Sequence, residues 1–422
     1  MKYIKLFEEH AGYEAYKNSQ DYLTPNVSYC VDRNEVHFEK YVRDYSKEYF
    51  TIEALEDTVL SIVFDGGKGC FITRQMRESF SYSVDEGETW TTFETPNDTY
   101  AGVALETPTI HAGEKVLWKG IGNINFVDGF PAICHFTSTG NYSVYGNIMS
   151  LSYGDEFIGQ VSLVNENVAH DFRFLFTNNT TLASAEKLVL PATTLADNCY
   201  GSMFNGCTSL TTAPELPATT LAEYCYSSMF NGCQSLTTAP ELLTTTLANN
   251  CYSYMFHGCT SLTTAPELPA TTLANNCYSY MFYGCTSLTT APELPATTLA
   301  EYCYSGMFNG CTSLTTASEL TATTLAEYCY LSMFNGCTSL TTAPELPATR
   351  LVYDCYSYMF YGCTNLNYIK AMCITAPSLT YTNDWVSGVS STGTFVKNSA
   401  AIWNVSGTLG IPSGWTVQTA SA

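Results

Sequence analysis

Through the middle of the chain, apolar residues fall four apart: Leu221, Cys225, Met229 and Cys233, with Ala222, Tyr226 and Phe230 beside them. At about 100° per residue these positions share one face of a helix. Glu223, Tyr224, Ser227, Ser228 and Asn231 fall on the opposite arc, and these are the positions that vary between copies. Thr219 or Thr220 can cap the start of such a helix, and Gly232 can end it in a left-handed turn. Leu236 and the run Thr-Thr-Ala-Pro-Glu-Leu follow, a β-branched stretch cut by Pro240 that suits a short strand and a turn. The unit is written seven times at a step of 26 residues between Leu190 and Leu366, so that Cys225-Tyr226 returns from Cys199-Tyr200 to Cys355-Tyr356. A fixed period in the twenties predicts a solenoid, each coil burying its apolar face against its neighbours.

One helix and one short strand per coil is the leucine-rich repeat plan. The string Met-Phe-x-x-Cys-x-x-Leu, with Leu-Pro before the next coil, resembles the BspA-like leucine-rich repeats of gut and oral bacteria and of their phages. All seven copies match, although Leu243 stands in for one proline and Ser318 with Thr321 for two more. Two further segments carry a resemblance. NSQDYLTPNVSYCVDRNEVHF is similar to a leader of many proteins encoded by Bacteroidales phages, crAss-like phages among them, and NDWVSGVSSTGTFVKNSAAIWNVSGTLGIPSGWTVQ is similar to the module that closes BspA-like arrays in the same proteins.

The pattern divides the chain into five parts. Residues 1–48 read as an attachment segment, with a short helix over Ile4–Tyr16 and a weak strand over Val27–Phe38. Residues 49–158 read as a small antiparallel β-sandwich, with strands at Tyr49–Ala54, Thr58–Phe64, Ser79–Val84, Val116–Lys119 and Ile133–Phe136. Asp65-Gly66-Gly67 and Asp128-Gly129 are its turn signals. Residues 159–189 read as the N-cap of the solenoid, because Leu175-Phe176 and Leu182 echo the repeat. Residues 190–366 are the α/β leucine-rich-repeat solenoid, and 367–422 form a C-terminal cap in which Trp385, Phe395, Trp403 and Trp415 cover the last coil.

Fourteen of the eighteen cysteines lie in the coils. Partners eight residues apart on a helix are separated by about 12 Å, beyond the ~7 Å a disulfide spans. The expectation is buried free thiols acting as small hydrophobes, in a protein folded under reducing conditions.

The formal charge of −22 disfavours nucleic acid and anionic membrane as partners. Thirteen of the seventeen basic residues precede Thr177, and Arg350 is the one base between Leu190 and Leu366. No stretch approaches the ~20 apolar residues of a membrane span, and the first twenty residues lack the apolar core of a secretion signal. The expected location is a particle assembled in the host cytoplasm, a bacterial cell surface being the alternative.

Catalytic signals are sparse. There is no Gly-x-Ser-x-Gly, Walker loop or His-Glu-x-x-His. Ser83, Asp85, Gly87, Thr89 and Trp90 match the Asp-box, a hairpin turn repeated in sialidase propellers, but it occurs once, with only Arg74 and Arg77 in the same part. The six histidines form no sequence cluster. The expectation is a protein that is not an enzyme and carries no cofactor.

Glu215, Glu241, Glu267, Glu293, Glu319 and Glu345 recur at 26 and should stack. At a coil spacing of about 5 Å two exposed carboxylates repel by roughly 0.8 kcal/mol in water, so a solvated stripe is tolerable. Ca²⁺ between its rungs is the sharper alternative. The repeated threonines of the strand face offer a uniform surface to a repeating polymer. The better candidate is the variable arc, with Tyr224, Asn250, Tyr254, His257, Tyr280, Tyr283, Tyr302, Tyr328, Tyr358 and Tyr361. Tyrosine offers a flat face for a sugar ring and a hydroxyl to bond it.

The resemblance implies a phage virion structural protein, a tail or head fibre or decoration. Its N-terminal region would bind other virion proteins, and its solenoid a glycan or protein of the host surface. A bacterial or prophage-encoded surface adhesin is the alternative. Such fibres are commonly trimers, although no coiled-coil heptads enforce one here.

Overall fold

A computed structural model gives the fold; the described residues are 4–6, 28–30, 39–40, 44–65, 71–72, 80–92, 99–100, 103–120, 133–165, 168–169, 172–403 and 406–420. The chain forms two compact units, Met1–Glu48 and Tyr49–Ala422. In the first unit Ile4–Leu6 pairs parallel with Ser28–Cys30, which pairs antiparallel with Glu39–Lys40. The helix expected from Ile4 therefore begins instead as a strand, and the rest of that stretch lies outside the described residues. So do the turn signals at 66–67 and 128–129, Arg74, Arg77 and three of the histidines.

The second unit opens with two sheets. One runs in the order Leu182–Val189, Tyr142–Asn147, Phe50–Ala54, Lys115–Gly120, Phe80–Ser83, Thr91–Thr92, and the other Val103–Glu106, Leu60–Asp65, Ile133–Ser138. All five strands expected between Tyr49 and Phe136 occur, within two residues at each end. The sheets meet through aromatic rings. Phe136 of the smaller sheet lies 5.4 Å from Phe50 and 5.1 Å from Trp118 of the larger.

The repeats differ from expectation. The segments read as helices are runs of tight turns, and the one α-helix among the described residues is Ser150–Tyr153. Every fourth residue is left-handed: in one coil Tyr224 (φ 56°), Ser228 (φ 55°) and Gly232 (φ 74°). Between them the amide groups alternate. Cys225, Ser227, Met229, Asn231 and Cys233 donate to carbonyls three residues back, while Tyr224, Tyr226, Ser228, Phe230 and Gly232 donate to Asn249, Cys251, Ser253, Met255 and His257 of the next coil at 2.7–3.3 Å. Half the backbone donors therefore tie coil to coil, as in a sheet, and none is left over. An α-helix would have kept them all to itself.

The predicted strands also shrink, to single-residue parallel bridges such as Thr238↔Thr264 and Thr290↔Thr316. Prolines on either side, Pro240, Pro266, Pro292 and their equivalents, have no N–H to extend a ladder. Full strands return where the prolines stop: Tyr368–Ala371, Thr394–Lys397 and Thr416–Thr419 form a parallel sheet at the C-terminal end.

Each four-residue turn points two residues inward, and both inward rows are closed to solvent. One row is Cys225, Met229 and Cys233, the other Tyr226 and Phe230. Across coils the buried tyrosines stack at 5.8–6.1 Å and the phenylalanines at 5.2–5.8 Å between ring centroids. Trp385 closes both ladders. At the other end Phe204 meets Phe176, which meets Phe136 and Phe50, so the core of the sheets and that of the coils are one.

The fifteen cysteines from Cys199 to Cys373 are buried and free, as the spacing in the coils implied. They are more than small hydrophobes. Each thiol from Cys207 to Cys363 at the repeat's second cysteine donates to the phenylalanine carbonyl of the preceding coil at 3.0–3.1 Å. Burial pushes the Cys225 and Cys259 thiols up to about 12, which keeps them unreactive. No helix among the described residues is long and apolar enough to cross a membrane.

Candidate functional site

The outward half of each turn carries the variable residues. Tyr224, Asn250, Tyr254, Tyr280, Tyr302, Tyr328 and Tyr358 all occupy the left-handed position of their turns, at φ 54–57°. His257, Tyr283 and Tyr361 precede the invariant left-handed glycine of each coil. A left-handed φ is cheap for glycine and tolerable for asparagine, but costs a bulky residue about 1–2 kcal/mol. The same two columns hold Asn198, Asn276 and Asp354, and Ser202, Ser228, Gly306 and Ser332, in other coils.

The fold gathers these side chains into groups. Tyr254 stacks on Tyr280 at 5.0 Å, His257 on Tyr283 at 4.6 Å, and the two pairs are tilted against each other at 5.9–6.0 Å, giving a four-ring patch. His257 is half-buried there, and desolvation lowers its pKa. Tyr280 lies against Gly306, where a Cβ would run into the ring, so the missing side chain seats the patch. A second group holds Tyr302 stacked on Tyr328 at 4.2 Å, with Tyr353 edge-on at 5.2 Å. Tyr358 and Tyr361 meet edge to face at 6.1 Å, and Asn383 donates to the Tyr358 hydroxyl at 2.8 Å. Tyr224 stands apart, 40% exposed, with no ring against it among the described residues.

Residues 179–305 and 275–383 match the BspA-type leucine-rich repeat region, in six copies. The repeat array is thus similar to the BspA-type leucine-rich repeat region. Among solved structures, a leucine-rich repeat protein from Bacteroides ovatus is similar at 14% identity over 66% of this chain and 73% of that one, with a TM-score of 0.32. No curated protein matches the chain.

Two other faces of the array were candidates. The glutamates from Glu215 to Glu345 are all exposed, and Glu345 pairs with Lys370 at 2.9 Å. Among the described residues no group of three or more His, Cys, Asp or Glu is disposed to hold a metal ion. The paired threonines are exposed in four columns, but several hydroxyls are already committed, Thr263 to the Thr237 carbonyl and Thr315 to that of Thr289.

Outside the array, the Asp-box residues build a turn. Asp85 accepts from the Thr89 amide, the Thr89 hydroxyl and the Ser83 hydroxyl, which together, the Thr89 hydroxyl foremost, hold its carboxyl down to about 2. The hairpin's Trp90 lies under the Lys119 ammonium at 4.2 Å, and Lys119 is paired with Asp155 at 2.8 Å.

Tyr353 is absent from the sequence-based set. Its column elsewhere holds Asp197, Glu223, Asn249, Asn275, Glu301 and Glu327. That single aromatic departure was the available signal.

Proposed function

We propose that the BspA-type array is a non-enzymatic interaction module and that its turn face is the recognition surface. The observation that carries this reading is backbone strain. Six tyrosines hold a left-handed conformation that asparagine, serine or glycine fills in neighbouring coils at lower cost. Stacking returns about 0.5–1.5 kcal/mol to a ring pair, but Tyr224 has none of it. Strain of this kind gathers where a side chain serves something other than stability. The neutral four-ring patch of Tyr254, His257, Tyr280 and Tyr283 suits the flat face of a sugar ring, and the acidity of the array favours a neutral glycan over an anionic one.

The finer reading is a virion component of a phage of gut Bacteroidales, displaying the array to the host surface as part of a homo-oligomer. It is supported by the likeness of residues 18–38 and 383–418 to segments of such phage proteins. The BspA-type match equally suits a bacterial surface adhesin. Two measurements separate these. Labelled full-length protein applied to a panel of gut Bacteroidales should adsorb to some strains and not others; uniform absence of adsorption rejects host-surface recognition. Mass spectrometry of purified particles should find the chain; its presence in the outer membrane alone favours the adhesin.

A further inference from the structure

Three successive coils place six residues in two adjoining columns: Glu301 and Tyr302, Glu327 and Tyr328, Tyr353 and Asp354. The backbone sets them side by side, since the Tyr302 amide donates to the Glu327 carbonyl and the Tyr328 amide to that of Tyr353. The result is a cluster of three rings and three carboxylates, the order of carboxylate and ring being reversed in the last coil. Its rings touch, at 4.2 and 5.2 Å, and Tyr353 is 46% exposed. Tyr328 and Asp354 both push the Tyr353 phenol up, as close neighbours of one sign would.

We propose that this cluster of rings and carboxylates accepts an arginine side chain from a basic segment of a protein partner. The inference rests on the turn face being the recognition surface, and it names the ligand of one part of that face. Charge complementarity is the first argument. Among the described residues no lysine or arginine pairs with Glu301, Glu327 or Asp354, and Arg350, the one base of the array, pairs with none of them. Among the described residues Asp354 accepts only from the Ser357 hydroxyl. The second argument decides which cation. The carboxylates do not form a group able to hold a metal ion. A guanidinium uses both halves of the pattern, its flat face against a ring and its N–H fork on a carboxylate. The four-ring patch, in the two coils just before, has no carboxylate in its columns, so the array offers two chemically distinct sites.

The test titrates the full chain with three probes: an acetylated hexa-arginine peptide, its hexa-lysine counterpart and a neutral hexasaccharide. The variants are Y302N/Y328N, which places asparagine at left-handed positions that accept it, E301Q/E327Q, and the control E215Q/E241Q, which removes the same charge from the other stripe. The arginine peptide should bind more tightly than the lysine peptide, and each site pair should weaken it by about tenfold while the control pair stays within about twofold. Equal weakening by all three pairs, or none from Y302N/Y328N, reduces the effect to the general acidity of the array and overturns the proposal. Binding of the hexasaccharide in preference, lost in Y302N/Y328N, also overturns it while leaving the turn face as the recognition surface. Unaltered adsorption to cells after substitution of the turn-face tyrosines would instead overturn the reading beneath it.

Discussion

At the scale of single residues, the left-handed tyrosines separate stability from use. Tyr224 gives the cleanest case, because its ring is exposed and touches no other among the described residues. Tyr224→Asn should raise stability by about 1 kcal/mol in a denaturant melt, since asparagine accepts a left-handed φ. A fall of similar size would show that the ring is held by packing. Asp85 gives a second residue-level test. Its carboxyl is held near 2, below the ordinary 3.8, so its contribution to the hairpin is complete above the ordinary value and is lost as pH falls through about 2. The Thr89 amide resonance should therefore titrate with a midpoint near 2, and a midpoint near 3.8 would mean the turn bonds are absent.

At the scale of elements, the repeat's apolar spacing was legible and its secondary structure was not. Leu221, Cys225, Met229 and Cys233 advance by four without the three-residue steps that a 3.6 period needs to stay on one face. In a helix they would wander over an arc of about 120°. In a run of four-residue turns Cys225, Met229 and Cys233 stay in one fully buried row. The invariant glycine at 232 and its equivalents pointed the same way, but asparagine and serine mark the left-handed positions weakly, and tyrosine conceals them. The strand over Thr-Thr-Ala-Pro failed for a simpler reason, the absent proline N–H. Far-UV circular dichroism should show turn and β signal without the helical double minimum. A helical spectrum would refute the turn assignment.

At the scale of the whole molecule, residues 49–420 share one core because Leu182–Val189 serves two structures. It pairs with Tyr142–Asn147 in the larger sheet, and Ser184 bridges to Thr212 of the first coil. Phe136, Phe176 and Phe204 carry the packing across the same junction. Unfolding of this unit should be a single transition by both tryptophan fluorescence and circular dichroism; an earlier, separate loss of the sheets would contradict the shared core. The likeness of the coils and the list of outward tyrosines could be read from the sequence, since variable positions stand out against so uniform a repeat. Their grouping could not. Which rings stack, and that Gly306 leaves room for Tyr280, follows from register between coils that no single coil encodes.

The account stands or falls on the outward tyrosines being a surface for recognition. The most direct measurement pairs a melting curve with adsorption of labelled Tyr254→Asn/Tyr280→Asn protein to the strain that best binds the parent. The account predicts a midpoint within a few degrees of the parent's and loss of adsorption. Adsorption at the parental level by the folded variant would contradict it.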